Sequence, residues 1–292
     1  MKHVIFTGSD ANCGDFLVSH WLKSLMDNVD LSNIDIVILD YGLTKEQVSK
    51  LKDKGVIVKK CVKDGFPNAI KFRDIANFLS KHKYGQVMTC DAADIIFQSD
   101  ISGMFEKNKK MLRASCESIS VPFEDFLFAG KIKRSEVRKI KETVKGKQMV
   151  NMGVLFGPSA LFTKLCREVN RILEGNKRWG SDQAAANYVL YKIGFKKIHQ
   201  KYNFGPTTSN HKFYIKNGIF YLEEGEKIPI VHNVGCVTSF RAVKNFGYGR
   251  SRNSVNKSKF LAIRAFQKIM STVRSGSNKI PSEIIKIRNY LK

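Results

Sequence analysis

A chain of 292 residues, 43% of them apolar, can build one large α/β domain or two small ones around a sizeable core. Its uninterrupted apolar runs are short, such as Ile36-Val-Ile-Leu39, which excludes the roughly 18 consecutive apolar residues of a transmembrane helix. The formal net charge of +24 is uneven: Arg241 to Lys292 holds 13 Lys or Arg and one acid, Glu283, half of the excess in under a fifth of the chain. Such a field favours an anionic partner: nucleic acid, an acidic membrane face or an anionic polymer. Six cysteines (Cys13, Cys61, Cys90, Cys116, Cys166, Cys236) are scattered singly with no C-x-x-C. That argues against a disulfide framework or a zinc site and fits reduced thiols in a cytoplasmic compartment.

In chain order, residues 3–7 predict a strand, because Met1-Lys-His-Val-Ile-Phe6 is too short and too soon polar for a signal peptide. Residues 14–28 predict a helix, with Phe16, Leu17, Trp21, Leu22 and Leu25 at helical spacing. Ile34–Leu39 predicts a buried strand, Thr44 and Gln47 a capping box opening a helix, and Val56–Val58 a short strand. Pro67 to about Ser80 predicts a helix and residues 85–90 a strand running into Asp91. This alternation implies a mostly parallel sheet with helices on both faces. Further on, Met111–Cys116 predicts a strand, 131–147 a charged, exposed helix or mobile segment, and Met149–Phe156 a strand broken by Gly153. Residues 159–173 predict an amphipathic helix and Ser181–Tyr191 another with Ser181 as N-cap. Phe213–Tyr221, with Asn217-Gly218 in its middle, reads as a hairpin, and Pro229–His232 as a last short strand.

Two basic amphipathic helices are expected beyond that point. One covers Asn256–Arg274, with Phe260, Ile263, Phe266, Ile269, Met270 and Val273 near one face; a second opens at Pro281. Their apolar faces either pack on the domain or contact anionic lipid. The expected organisation is a domain over residues 1–240 followed by a basic helical tail over 241–292.

The segment Val87-Met-Thr-Cys-Asp91-Ala-Ala-Asp94-Ile-Ile-Phe-Gln98 is the richest in chemistry. Carboxylates at the carboxyl end of a buried strand sit where open α/β sheets bind ligands. Two acids bracketing two alanines can converge on one divalent cation, and a hard cation such as Mg²⁺ takes one or two protein carboxylates plus substrate phosphates. The competing reading is that Asp94 only caps a turn or helix. Other polar clusters follow strands or sit on helices: Thr7-Gly8-Ser9-Asp10-Ala11-Asn12, Lys71-Phe72-Arg73, Asn151-Met-Gly153, Asp182-Gln183 and His232-Asn-Val-Gly235.

The order of these clusters resembles the GT-A type of nucleotide-sugar glycosyltransferase, in particular family 8 and its relatives. The resemblance spans roughly residues 3–236. It rests on Phe6-Thr-Gly-Ser-Asp10, Arg73, Asp91-Ala-Ala-Asp94, Asn151-Met-Gly153, Asp182-Gln183 and His232-Asn-Val-Gly235. Two departures stand out. The acidic motif is D-x-x-D rather than D-x-D, as in a related group with D-x-R-D followed by V-x-F-Q, and the first loop lacks the acidic doublet common in family 8. The resemblance implies a mixed, mostly parallel Rossmann-type sheet flanked by helices.

It also implies transfer of a sugar from a nucleotide-diphosphate donor, UDP-linked, to a glycan or glycoconjugate acceptor with retention of configuration. Asp91, Asp94 and His232 would hold Mn²⁺ or Mg²⁺ against the diphosphate. Thr7, Gly8, Asp10, Asn12, Lys71, Arg73, Asp91, Asn151, Gly153 and Gly235 would bind the donor, with Lys71 and Arg73 on its phosphates. Asp182 and Gln183 would face the donor sugar as catalytic residues, and Glu117 is a further acid that suits an acceptor contact or a base.

Each residue also has a plainer reading: Arg73 in helix pairing, His232 as a core histidine, Asp182 as an acid favoured at a helix N-terminus. The rival activities are a sugar-phosphate nucleotidyltransferase, weakened by the absence of a basic residue in the first loop, and a nucleic-acid-binding protein using the basic tail, weakened by the absence of a reader motif. No specific nucleic acid is therefore expected. A nicotinamide dehydrogenase would need G-x-G-x-x-G in the first turn. The expected setting is polysaccharide biosynthesis in the cytoplasm, or a host's cytoplasm if the source is viral, peripheral on the membrane through 241–292.

Overall fold

The structure, a computed structural model, describes residues 1–120, 123, 126, 127, 132–174, 178, 180–235, 241–249 and 253–274. Lys131, Cys236 and the expected helix from Pro281 lie outside them. The chain opens with β1 (His3–Ser9), α1 (Ala11–Phe16), a π-helical segment (Leu17–Leu22) and α2 (Lys23–Asn28). Next come β2 (Ile34–Asp40), α3 (Lys45–Lys52), β3 (Ile57–Lys60), α4 (Pro67–Leu79), β4 (Gln86–Cys90) and β5 (Ile95–Phe97). The later elements are β6 (Leu112–Cys116), α5 (Arg134–Val144), β7 (Val150–Pro158), α6 (Ser159–Ile172), α7 (Ser181–Ile193) and β8 (Phe195–Lys197). A 3₁₀ turn (Gln200–Asn203) then leads to β9 (Phe213–Lys216), β10 (Ile219–Leu222), β11 (Ile230–His232), β12 (Val243–Lys244), β13 (Ser254–Val255) and α8 (Lys257–Arg274).

Seven strands form one sheet in the order β3-β2-β1-β4-β7-β6-β8. Pairing is parallel from β3 to β4, antiparallel on both sides of β7, and parallel again between β6 and β8. The sheet is therefore mixed and mostly parallel, a GT-A-like α/β fold, as expected. Because strand side chains alternate, the apolar strands feed two cores. Val4, Phe6, Val37 and Leu39 face α4, α6 and α7. Ile5, Ile36, Ile38 and Met88 face the helix holding Leu17, Trp21 and Leu25.

Local chemistry sets the helix starts. Thr44 and Gln47 close the expected capping box on α3, and Pro67 occupies the first turn of α4, where a missing N–H costs nothing. Ser181 does not cap α7 as expected: Gly180, in the left-handed region at φ 83°, is the cap. Ser181 is already helical, and its hydroxyl donates to the Arg178 carbonyl at 2.5 Å. Asn217 (φ 51°) and Gly218 (φ 78°) make the tight hairpin turn between β9 and β10.

Ile95–Phe97, which follows the acidic pair, is a strand that pairs antiparallel with β11. Gln98 extends this ladder sideways. Its amide nitrogen donates to the carbonyls of Phe220 (3.2 Å) and Ile228 (2.8 Å), and its oxygen accepts from the Phe220 N–H (3.0 Å). In α8, Ile263 and Ala265 are buried, and the Phe260 ring meets Phe213 edge-on at 6.2 Å. Among the described residues no helix is long and apolar enough to cross a membrane.

Gln98→Leu would leave the Phe220 N–H and the Ile228 carbonyl without their buried partner. At about 1–3 kcal/mol per orphaned group, the expected loss is about 3 kcal/mol. It is read as a lower urea midpoint with unchanged slope.

Candidate functional site

The carboxyl ends of β1 and β4, the start of α4, the start of β7, the start of α7 and the end of β11 surround one cavity of about 460 Å³. That is within the range of small-molecule sites. Of the expected residues, Gly8, Asp10 and Asn12 line it from the first loop and Asp91 and Asp94 from the acidic segment. Asn151 and Gly153 line it from β7, Asp182 and Gln183 from α7, and His232 and Gly235 from the end of β11. Glu117 and Arg241 also reach the wall.

Three expected donor residues are not in the wall. Thr7 is buried inside β1, with its hydroxyl unpaired. Lys71 is 2% exposed and sits behind Asp91, donating to Asp91 Oδ1 at 2.9 Å. Arg73 is committed elsewhere. Its guanidinium forks onto Asp74 with two bonds of 2.9 Å and donates to Asp64 Oδ1 (2.7 Å) and the Val62 carbonyl (2.9 Å). The reason is helical phase: residues two apart point about 200° away from each other, so Lys71 and Arg73 cannot both face the same side.

At the centre, Asp91, Asp94 and His232 each offer a ligand atom, and the three atoms lie within 4.8 Å of one another. His232 Nε2 is 3.4 Å from Asp94 Oδ1 and 3.9 Å from Asp91 Oδ2. The remaining oxygens are tied to cations, Asp91 Oδ1 to Lys71 and Asp94 Oδ2 to Arg241 Nη2, each at 2.9 Å. Asp94 Oδ1 is buried with no hydrogen-bond partner. A buried carboxylate oxygen in that condition is costly unless something positive meets it. Ligand atoms around a small divalent cation at about 2.1 Å sit roughly 3–4 Å apart, and the His232 distances of 3.4 and 3.9 Å to the two carboxylates match that spacing.

Electrostatics hold Asp94 ionised. Burial alone would raise the Asp94 pKa, but His232, Arg241 and Lys71 outweigh it and bring it below the usual carboxylate range. Burial would likewise lower His232 and Lys71; the neighbouring acids outweigh it and both are raised. Two other cavity acids behave oppositely. Burial pushes the Asp182 carboxyl up to about 6 against the pull of Lys71, and the Glu117 carboxyl up to about 7.

The remaining residues are held by the backbone around them. Asp10 caps α1 by accepting from the Asn12 N–H at 3.1 Å, and its other oxygen pairs with Lys63 at 2.7 Å. The Gln183 side chain pairs with the β7 main chain, donating to the Val150 carbonyl (2.5 Å) and accepting from the Met152 N–H (3.3 Å). A β-carbon at Gly153 would lie against the His232 ring, 2.5 Å from Nδ1, and 2.9 Å from Asn151 Oδ1. Only glycine lets β7 pass this close to the imidazole.

No protein-family model matches the chain, and no curated protein matches it in sequence. Among solved structures it is similar to WbbM, a bifunctional glycosyltransferase in its apo form, with a TM-score of 0.56 at 12% identity. The match covers 95% of this chain and 52% of WbbM, so the chain spans about half of that protein's length. The likeness is one of fold and does not single out family 8.

Sequence reasoning missed Arg241, which it counted only as part of the basic tail; its proximity to the His232–Gly235 segment was the available signal. It also missed Asn203, in the 3₁₀ turn, whose side chain contacts His232 Nδ1 at 2.9 Å.

Two outcomes are expected. Gly153→Ala drives its β-carbon into the His232 ring, and the melt shows about 1–3 kcal/mol of overpacking strain. For Glu117, the folded state keeps a proton up to about pH 7 that the unfolded chain releases near 4.5. The stability this confers is full below 4.5 and lost as pH rises through 7. Glu117→Gln, which cannot ionise, therefore melts increasingly above wild type across that window in chelator. The gap reaches on the order of 2 kcal/mol by pH 8, and a constant gap from pH 4.5 to 8 would contradict the assignment.

Proposed function

We propose that this chain is a divalent-metal-dependent glycosyltransferase that moves a sugar from a nucleotide-diphosphate donor, UDP-linked, to a glycan or glycoconjugate acceptor, with retention of configuration as in family 8. The observation that carries the reading is the convergence of Asp91 Oδ2, Asp94 Oδ1 and His232 Nε2 at the wall of a ligand-sized cavity, with the other carboxylate oxygens held by cations. The GT-A-like fold supports it, since carboxylates at strand ends sit at the ligand crevice of such sheets.

In this reading Asp91, Asp94 and His232 hold Mn²⁺ or Mg²⁺; imidazole with carboxylates suits Mn²⁺ in particular. When bound, the ion acts as Lewis acid on the departing diphosphate. Lys71 aims Asp91 and Arg241 aims Asp94, so the site is formed before the ion arrives. Gly8, Asp10 and Asn12 receive the nucleoside, and Gly235 lies beside the diphosphate. Asn151 and Gly153 shape the sugar end, where Gly153 lets the donor approach the main chain. Asp182 holds sugar hydroxyls, and Gln183 flanks the anomeric carbon from the first turn of α7. The C1–O bond to the diphosphate breaks as a new C1–O bond forms to the acceptor hydroxyl, whose proton passes to the departing diphosphate oxygen. Lys71, with its ammonium on Asp91 Oδ1, would orient that carboxylate for the ion rather than reach the phosphates. The basic segment 241–292 serves docking on an anionic membrane surface, at the cytoplasmic face during polysaccharide assembly.

A thermal-shift panel of nucleotide sugars with and without Mn²⁺ tests the reading, since a donor that binds only the folded state raises its stability by mass action. One donor is expected to raise the melting temperature only when Mn²⁺ is present. Asp91→Asn is expected to stay folded and lose both that shift and transfer by at least about 100-fold. No shift with any donor, or full transfer by Asp91→Asn in chelator, would sink the assignment.

A further inference from the structure

Behind the three ligand residues runs a chain of side-chain hydrogen bonds whose direction is fixed by two backbone groups. Asn151 Oδ1 accepts from the Gly153 N–H at 2.8 Å. A backbone N–H can only donate, so this sets the Asn151 amide: its nitrogen must face the other way, and it donates to Glu117 Oε1 at 2.6 Å. The Asn203 amide nitrogen donates to the Asn151 carbonyl at 3.2 Å and to Asn151 Oδ1 at 3.1 Å. Both of those groups only accept, which turns Asn203 Oδ1 towards His232. Asn203 Oδ1 then lies 2.9 Å from His232 Nδ1. An amide oxygen has no proton to give, so Nδ1 carries the hydrogen. In the neutral ring that leaves the Nε2 lone pair on the side of Asp94 Oδ1 and Asp91 Oδ2.

All three links are shielded from water: Asn151, Asn203 and His232 are 8%, 5% and 4% exposed. In water the amide contact would be exchanged for solvent and would select nothing. Buried, the cost of an unmade bond at any step holds the whole series in one sense.

We propose that Asn203 is a positioning residue that fixes His232 in its Nδ1–H form, so that Nε2 presents a lone pair at the same point as the two aspartates, with Asn151 and Glu117 holding Asn203 in that orientation. This rests on the reading of Asp91, Asp94 and His232 as a metal site. Loss of such an outer partner typically weakens metal affinity by about 10–100-fold.

The test is Mn²⁺ titration of the full chain after chelator treatment, following free Mn²⁺ by electron paramagnetic resonance. Asn203→Leu removes the acceptor and is expected to weaken Mn²⁺ binding by about 10–100-fold. Asn203→Asp, which keeps an oxygen for Nδ1–H, is expected to bind closer to wild type than to the leucine variant. Equal affinity of wild type and Asn203→Leu overturns the positioning role while leaving the metal site standing. A wild type that takes up no Mn²⁺ overturns the metal reading itself. Nitrogen-15 spectra of the metal-free wild-type histidines need no variant to fold: a proton on His232 Nδ1 is expected, and a bare Nδ1 overturns the proposal.

Discussion

Three residue pairs carry the geometry of the site. β5 and β11 are each three residues long, and their register sets His232 opposite Ile95, one position from Asp94. The Asn233 N–H closes the corner on the Asp94 carbonyl at 2.8 Å. So short a ladder is marginal alone, and the fold supports it with groups that stand in for missing strands. Phe204 donates to the Ile230 carbonyl and accepts from the His232 N–H. The Ser24 hydroxyl accepts from the Phe97 N–H at 3.0 Å, and Gln98 bridges to the β9–β10 hairpin. The aspartates come from the sheet, the histidine from some 140 residues later, and this small ladder makes them neighbours.

The site's charge is arranged in halves. Each aspartate turns one oxygen to a cation and the other towards His232. Lys71 reaches its partner from inside the apolar face of α4, among Ile70, Phe72 and Ile75. Burying an ammonium there is expensive unless it is paired, so Lys71 is held to Asp91 by the cost of every alternative. Arg241 is more exposed, at 29% of its side chain, and approaches from the other side.

Much of this was legible in the chain. The short apolar runs of β1, β2 and β4 and the capping box of α3 are local signals, and the structure follows them closely. The acidic pair, the Asn151–Gly153 segment and the late histidine were recognisable because strand ends carrying polar residues are unusual in an otherwise apolar sheet. The choice between Lys71 and Arg73 needed the phase of α4. That phase was present in the spacing of Phe72, Ile75 and Leu79, but a lysine on the apolar side reads as an exception until its carboxylate partner is seen. Asn203 carried no local signal. It lies in a 3₁₀ turn after a three-residue strand, and its meaning comes from His232 and Asn151, distant in sequence. Ile95–Phe97 looked like the continuation of a motif because nothing nearby announced its partner strand.

The π-helical segment Leu17–Leu22 joins α1, whose Asn12 and Cys13 face the cavity, to α2 at the back of the sheet. A π turn holds more residues than an α turn, so the helix on one side is rotated relative to an uninterrupted α-helix. Removing one residue here would restore regular winding but swing the front of the helix by about 100°, while Trp21, stacked edge-on against Phe97, holds the rear. The widened turn thus acts as a phase adjuster: it lets a single helix satisfy the packing of the core at one end and the shape of the cavity at the other. Insertions and deletions should accordingly be far less tolerated in this helix than in the loops at either end of it.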